Sequence, residues 1–143
     1  MHKAKAILNA FYEQISTLKG SVILDVVKTN INTEQTFPMI SVTMGPDTKQ
    51  EFTKELYQHE LTVFTDIYVR ANENDVDDQM LDIREIIELK VLSMDKLDLD
   101  YVFKIDFQGQ DAPDYNGEGT DYSSRTRLEW RIEYFSQHQN PSN

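Results

Sequence analysis

The chain has 143 residues, of which 39% are hydrophobic and 27% charged, so it can bury a core and we expect one domain. It has no cysteine, which excludes disulfide bonds, thiolate metal sites and cysteine nucleophiles. A net charge of −11 disfavours nucleic-acid binding, which depends on neutralising phosphates. No apolar run approaches the length of a membrane span, and the first residues, MHKAKAILNAFYEQ, do not have the pattern of a secretory signal.

The first half of the chain predicts one helix and three strands. KAKAILNAFYEQISTLKG predicts an amphipathic helix over residues 3–20 that stops at a glycine. Strands are predicted in SVILDVVK, in FPMISVTMG, which ends at Gly45-Pro46, and in ELTVFTDIYVRA. The predicted apolar faces are Ala4, Leu8, Phe11, Ile15 and Leu18 for the helix, Val22, Leu24 and Val26 for the first strand, and Leu61, Val63, Thr65, Ile67 and Val69 for the third.

The polar residues 47–59 are predicted to form a loop or an irregular hairpin arm; as this length is long for a loop, we expect the segment to carry some structure or to be functional.

The second half predicts a helix and two strands. The helix covers residues 76–93, after aspartates that suit the positive end of its dipole. DKLDLDYVFKIDFQG predicts a strand, and a polar, glycine-rich loop over residues 108–124 precedes the last strand, TRLEWRIEYF. Residues 136–143 are expected to form a frayed tail. The order predicts an α+β domain in which a mainly antiparallel or mixed sheet of about five strands packs against two helices and leaves an edge exposed.

The last strand carries a row of charges with alternating sign. Leu128, Trp130, Ile132 and Tyr134 alternate with Arg127, Glu129, Arg131 and Glu133, here called the charged row. The row either pairs across strands within one sheet or meets another copy of the chain, where unlike charges would set the register. The sequence leaves both alternatives open.

Few patterns in the sequence indicate chemistry. His2, His59 and His138 lack metal-ligand spacing, so we expect solvated surface histidines. The motifs GxSxG, HExxH and the Walker glycine loop are absent, and local caps and turns explain the aspartates. We therefore expect no enzyme, no catalytic residues, no cofactor and no metal.

One segment partly matches a calcium loop. In DYNGEGTDYSSR, residues 114–125, Asp114, Asn116 and Glu118 occupy the first, third and fifth positions. Arg125 stands at the twelfth, where a bidentate glutamate is required. A flexible acidic hairpin loop is the better interpretation.

The order and spacing of several segments resemble the tail-terminator proteins of long-tailed phages, the minor tail protein U-like family. The segments are FYEQI in the first helix, TFPMISVTMG, ELTVFTDIYVRANEND leading into IREIIEL, and the closing TRLEWRIEYFS. The long acidic loop before the last strand departs from the pattern, and there is no tail-tube signature.

The resemblance implies a structural virion protein at the head-proximal end of the tail, assembled in the host cytoplasm. Such proteins form a ring, usually hexameric, that caps the tail tube, ends its polymerisation and presents a surface to the head-completion or connector protein. DNA would pass through the lumen without specific binding, because an anionic lumen repels phosphate. The candidate subunit interface is the charged row, and the candidate lumen or tail-face loop is Asp111, Asp114, Glu118 and Asp121, with residues 48–59 as a second contact arm.

Two alternatives stay open. A head-completion or neck protein also forms a ring, whereas a small acidic adaptor would act as a monomer. The net charge is explained either by solubility or by a repulsive surface past which an anionic molecule moves.

Overall fold

The computed structural model of the protein describes residues 2–29, 36–118 and 120–137. The elements, in chain order, are α1 (Lys3–Ser16), β1 (Asp25–Lys28), β2 (Met39–Glu51), β3 (Leu56–Ala71), α2 (Val76–Leu92), a 3₁₀ turn (Asp95–Asp98), β4 (Val102–Gln110), β5 (Asp114–Glu118) and β6 (Asp121–Gln137). The predicted α+β class is confirmed, with six strands where about five were expected.

The strands form one mixed sheet in the order β1-β2-β3-β6-β4, with β5 also paired to β6. Among the strands of the described residues, only the β1–β2 pair is parallel. Strands β4 and β5 lie end to end along the side of β6 that faces away from β3, because they pair with different stretches of β6. Strands β1 and β4 therefore form the two opposite edges of the sheet.

Both helices pack on the same face of the sheet. The core consists of alternate residues of β3 and β6 covered by one stripe of each helix; the helix residues are Ala4, Ile7, Phe11 and Ile15 from α1, and Val76, Met80, Ile83, Ile87 and Val91 from α2. Period-two alternation places the buried residues of each strand on this face. The indole N–H of Trp130 is buried and donates to Thr65 Oγ1 at 2.9 Å, so this large core side chain leaves no unpaired donor.

The N-terminal predictions need two corrections. Helix α1 ends at Ser16 instead of Gly20, and Ile7 is fully buried where Leu8 was expected. The predicted inner residues Val22 and Leu24 are 57% and 47% exposed. Turns precede β1, which begins only at Asp25, so strand alternation does not apply to the residues before it.

Strand β2 does not end at Gly45-Pro46 but continues to Glu51. The register with β3 shifts between Met44 and Asp47, so a bulge accommodates the missing N–H of the proline. Residues 48–59 consequently form a hairpin arm, one of the two predicted alternatives. Residues 48–55 are all exposed, and the arm is a regular antiparallel pair.

Two further predictions are wrong in part. The glycine-rich stretch before the last strand is not a simple loop, because residues 114–118 form β5 in a hairpin with β6. Ser136 and Gln137 belong to β6 and do not fray, since they pair with the start of β3. Residues 138–143, including His138, lie outside the described residues.

A left-handed turn connects α2 to β4. Residues 95–98 all have φ between 40° and 61°, a conformation that costs roughly 1–2 kcal/mol per residue outside glycine. Two of the four are aspartates, and aspartate adopts this conformation more readily than most residues other than glycine. Met94, just before the turn, and Leu97, within it, are buried, so their burial offsets part of the strain.

Candidate functional site

The charged row lies on the face of the sheet opposite the helices. Its four residues are each partly buried, while their neighbours in β6 are buried beneath the helices. The predicted alternation of β6 is thus confirmed over the whole row. The next question is which groups the charges contact.

Arg127 is bound to a carboxylate of its own sheet. Asp66 on β3, with a side chain only 2% exposed, accepts from Arg127 Nε at 2.9 Å and Nη2 at 3.1 Å. Arg125 Nη2 donates to the same carboxylate at 3.0 Å. Two guanidinium groups therefore neutralise one buried charge, as an ionised carboxylate removed from water requires.

The contacts of Arg127 also favour its charged form. The hydrogen bonds to Asp66 raise the pKa of Arg127 above its ordinary value. Its guanidinium carbon lies 4.2 Å from the centre of the Phe64 ring, in cation–π geometry. Arg127 is thus a permanent cation fixed against its own sheet.

The rest of the row is bound more loosely. Arg131 Nε lies 3.7 Å from Glu60 of β3, with both side chains about 40% exposed, and Gln58 Nε2 donates to Glu133 at 3.4 Å. Glu129 stands in register with Phe64 and with Gly109, neither of which offers it a charge. Contacts within the sheet therefore neutralise the charge of Arg127 and give Arg131 and Glu133 only weak partners. Among the described cross-strand neighbours, Glu129 has no charged partner.

The second predicted set, the acidic loop residues, is exposed and lies on the β5–β6 hairpin and just before it. Asp111 and Asp114 line a cavity of about 170 Å³ together with Arg125 and Arg127, so the structure joins the acidic set to the charged row. Glu118 pairs with Asp121 in register at the hairpin end.

Asp121 accepts from Arg70 at 2.7 and 2.9 Å, and these hydrogen bonds lower the pKa of its carboxyl group. The hairpin is also tied to α2, because the Tyr115 hydroxyl donates to Asp77 Oδ1 at 2.5 Å. That hydrogen bond raises the pKa of Tyr115. The acidic segment is therefore a hairpin that side-chain hydrogen bonds hold against β3 and α2, not a free loop.

The strand geometry also argues against a calcium loop here. Strand β5 contains the three calcium-loop candidates Asp114, Asn116 and Glu118, each two residues from the next. The Cα atoms of successive candidates therefore lie roughly 6.7 Å apart. Oxygen ligands must converge to about 2.4 Å from a calcium ion, which an extended strand prevents. Within residues 2–29, 36–118 and 120–137, no cluster of three or more histidine or carboxylate side chains has metal-binding geometry.

Sequence reasoning missed a partly buried polar cluster at the base of the hairpin arm. His59 was expected in solvent but is 8% exposed; its Nε2 lies 2.7 Å from Ser136 Oγ and its Nδ1 lies 3.2 Å from Asp47 Oδ1. The Tyr134 hydroxyl donates to Asp47 Oδ2 at 2.6 Å, and the His59 and Tyr134 rings stack at 4.5 Å. The signal was present, because His59 is in phase with the buried residues Leu61 and Val63.

The order of these contacts matches the hydrogen bonding of a Ser-His-Asp hydrolase triad. However, Ser136 is only 3% exposed, so a substrate carbonyl could not reach Oγ unless the arm moved. Asp47 is moreover shared with Tyr134, and desolvation, followed by this hydrogen bond, raises the pKa of that phenol far above its ordinary value. The cluster fastens β2, β3 and β6 together where the arm leaves the sheet.

The arm carries an aromatic surface on its other side. Phe52, 56% exposed near the tip, packs on Phe135 with ring centres 5.0 Å apart, and Phe103 of β4 stacks on Phe135 at 4.8 Å. Exposed aromatic residues of this kind are enriched at protein–protein contacts. That residues 48–59 form a contact arm stays a prediction.

In the described part of the chain, no helix is both long and apolar enough to cross a bilayer. Comparison of the sequence with models of known protein families and with characterised proteins finds no match to either.

Proposed function

We propose that this protein is a phage tail terminator: a structural protein whose copies form a ring on the tail tube, end its polymerisation and provide the surface for head joining. The observation that carries the proposal is the asymmetry of the sheet. One edge, β1, is short and follows exposed apolar turns, whereas the other, β4, borders a groove beside α2. Unlike edges suit head-to-tail contacts, which close into a ring when the rotation per subunit is right.

Two other features support contacts along the ring axis. The arm of residues 48–59 extends from one end of the long strands, and the acidic β5–β6 hairpin lies near the other. The arm, with its aromatic surface, suits a contact with the tube protein or the head connector. The acidic hairpin suits a lumen, since exposed carboxylates repel the phosphates of passing DNA.

The test is the length of the tails. Deleting the gene from the phage that encodes it removes the cap, so tail tubes should grow to irregular lengths when imaged by electron microscopy. Supplying the protein from a plasmid should restore a single length. Tails of normal length in the deletion would refute the terminator role and favour a head-completion or neck protein, which would leave unjoined heads beside normal tails.

The adaptor alternative is tested by mass. Light scattering of the purified chain should show a species near six subunits, either alone or after mixing with the tail-tube protein. A monomer under both conditions would contradict the ring and support a small acidic adaptor.

A further inference from the structure

The groove between α2 and β4 is built from apolar residues with an acidic rim. Its volume is about 460 Å³, with Trp130, Ile105 and Phe107 from the sheet and Leu89 and Leu92 from α2 among its lining residues. The rim carboxylates are Glu85, Glu88 and Asp106, of which Glu88 lies 3.5 Å from Arg84 and Asp106 lies 3.2 Å from Lys104. The groove exists because α2 packs mainly on β3 and β6 and leaves the inner face of β4 only half covered.

The groove exposes more large apolar side chains than an ordinary stretch of protein surface. Leu89 and Leu92 are 60% and 81% exposed, although both stand beside half-buried aromatic and aliphatic side chains. Strand β4 is also a terminal strand, so the backbone groups on its outer side have no strand partner among the described residues. Exposed apolar surface next to an open edge is the kind of place where another chain packs.

The opposite edge of the sheet carries a complementary surface. Val22 and Leu24 are exposed just before β1, and Lys19 and Lys28 flank them with exposed side chains. Residues 2–29 contain four lysines and two acidic residues, a net charge of +2 in a chain of −11. Residues 76–106, which supply most of the groove, contain nine acidic and four basic residues, a net charge of −5.

We propose that the α2–β4 groove receives residues 19–24 of a second copy of this chain, with Val22 and Leu24 seated on the apolar floor. Lys19 of the incoming segment, which lies 3.4 Å from Asp25 in its own chain, then faces the acidic rim. Charge complementarity of this kind favours the correct partner and register. The inference rests on the proposed ring and names the contact that closes it.

The two surfaces cannot meet within one chain. Four inter-strand steps of roughly 4.8 Å separate β1 from β4, so the edges stand about 19 Å apart. Nor is the contact self-complementary, because one copy contributes the segment and the other the groove. Repeating it adds subunits head to tail, as a ring requires.

Disulfide trapping tests this contact directly, because the chain has no native cysteine. In the variant carrying Val22→Cys and Leu92→Cys, mild oxidation should give a ladder of covalent multimers that ends in a closed species. An intrachain bond would leave the chain monomeric on a non-reducing gel, so it cannot be mistaken for the ladder. The control variant carries Lys54→Cys, at the exposed arm tip, with Leu92→Cys and should give at most traces of dimer.

A charge placed in the groove gives a second, independent measurement. Leu92→Asp should reduce multimer formation by about tenfold or more, because the carboxylate must lose water to enter the apolar contact. Leu81→Asp is the matched control, since Leu81 is an exposed leucine of the same helix outside the groove lining. In this experiment multimer formation is followed by light scattering of otherwise unmodified chains.

The outcomes separate the contact from the function. Equal trapping of the two cysteine pairs, or equal effects of the two aspartates, overturns the contact, whatever the tail lengths show. Trapped rings together with normal tails in the gene deletion would keep the contact and refute the terminator role. A ring seen by microscopy without trapping between positions 22 and 92 would keep the ring and reject this interface.

Discussion

Removing Arg127 should destabilise the isolated protein far more than removing Arg131, although both belong to the charged row. Arg127 gives two hydrogen bonds of 2.9 and 3.1 Å to the buried Asp66 and covers the ring of Phe64. Arg131 has a single contact at 3.7 Å to Glu60, an exposed carboxylate. The two substitutions to alanine remove the same side chain from the same strand and face.

The magnitude follows from these contacts. Hydrogen bonds to a charged group contribute about 1.5–3 kcal/mol, and a cation–π contact about 0.5–1 kcal/mol. Arg125 still neutralises Asp66 in the variant and so limits the loss. We expect Arg127→Ala to cost about 2 kcal/mol, which lowers the melting temperature by roughly 6 °C for a domain of this size. Arg131→Ala should cost less than about 0.5 kcal/mol, as exposed ion pairs do.

Urea unfolding followed by circular dichroism measures both values. Equal losses for the two variants would refute the argument that Asp66 holds Arg127 within the sheet. Light scattering of the same proteins addresses the alternative left open by the sequence: if Arg131→Ala lowers the assembled mass while the monomer keeps its stability, the loosely bound end of the row meets another copy.

Three further outcomes follow from single contacts. Tyr134→Phe removes the 2.6 Å hydrogen bond to Asp47 and should cost about 1.5 kcal/mol in urea unfolding. Because the pKa of Tyr134 is raised by folding, its contribution is complete below the ordinary tyrosine pKa of about 10 and is lost as the pH rises beyond it, so the variant should show a flatter decline of stability in alkali. Gly117→Ala places a Cβ 2.2 Å from the Asp121 carbonyl oxygen at a φ of +125°, and hydrogen exchange should show faster opening of the β5–β6 hairpin, whereas unchanged protection would contradict the strain. Ile83→Ala opens a cavity in the core and should cost about 2–5 kcal/mol; a loss below 1 kcal/mol would mean that α2 repacks.

Local sequence patterns predicted the elements that have one buried and one exposed face. The alternation of residues 60–71 and of residues 126–135 gave both long strands with the correct buried faces, because one face of each is covered by helices. The helix predicted over residues 76–93 likewise matches α2. The prediction that Val22 and Leu24 lie on a buried strand face was wrong, because the turns before β1 break the alternation on which it depended.

The candidate site likewise has features that the sequence predicted and features that only the structure showed. The position of the charged row and its sign alternation were predicted from the sequence, but the partners of the charges lie on other strands. Asp66 is 61 residues from Arg127 along the chain, and nothing in its local sequence distinguishes it from a solvated aspartate. His59 and Ser136, 77 residues apart, were assigned to solvent and to a frayed tail for the same reason.

Composition and periodicity by themselves determined that this chain is an acidic α+β domain without thiol chemistry, since those properties are local sums or local repeats. Only the tertiary structure decided that β1 and β4 form the edges, that α2 leaves a groove beside β4, and that Arg127 of the charged row is bound within its own sheet. The physical reason is that strand order, helix placement and ion pairing arise between segments distant in sequence, where no local pattern records the partner.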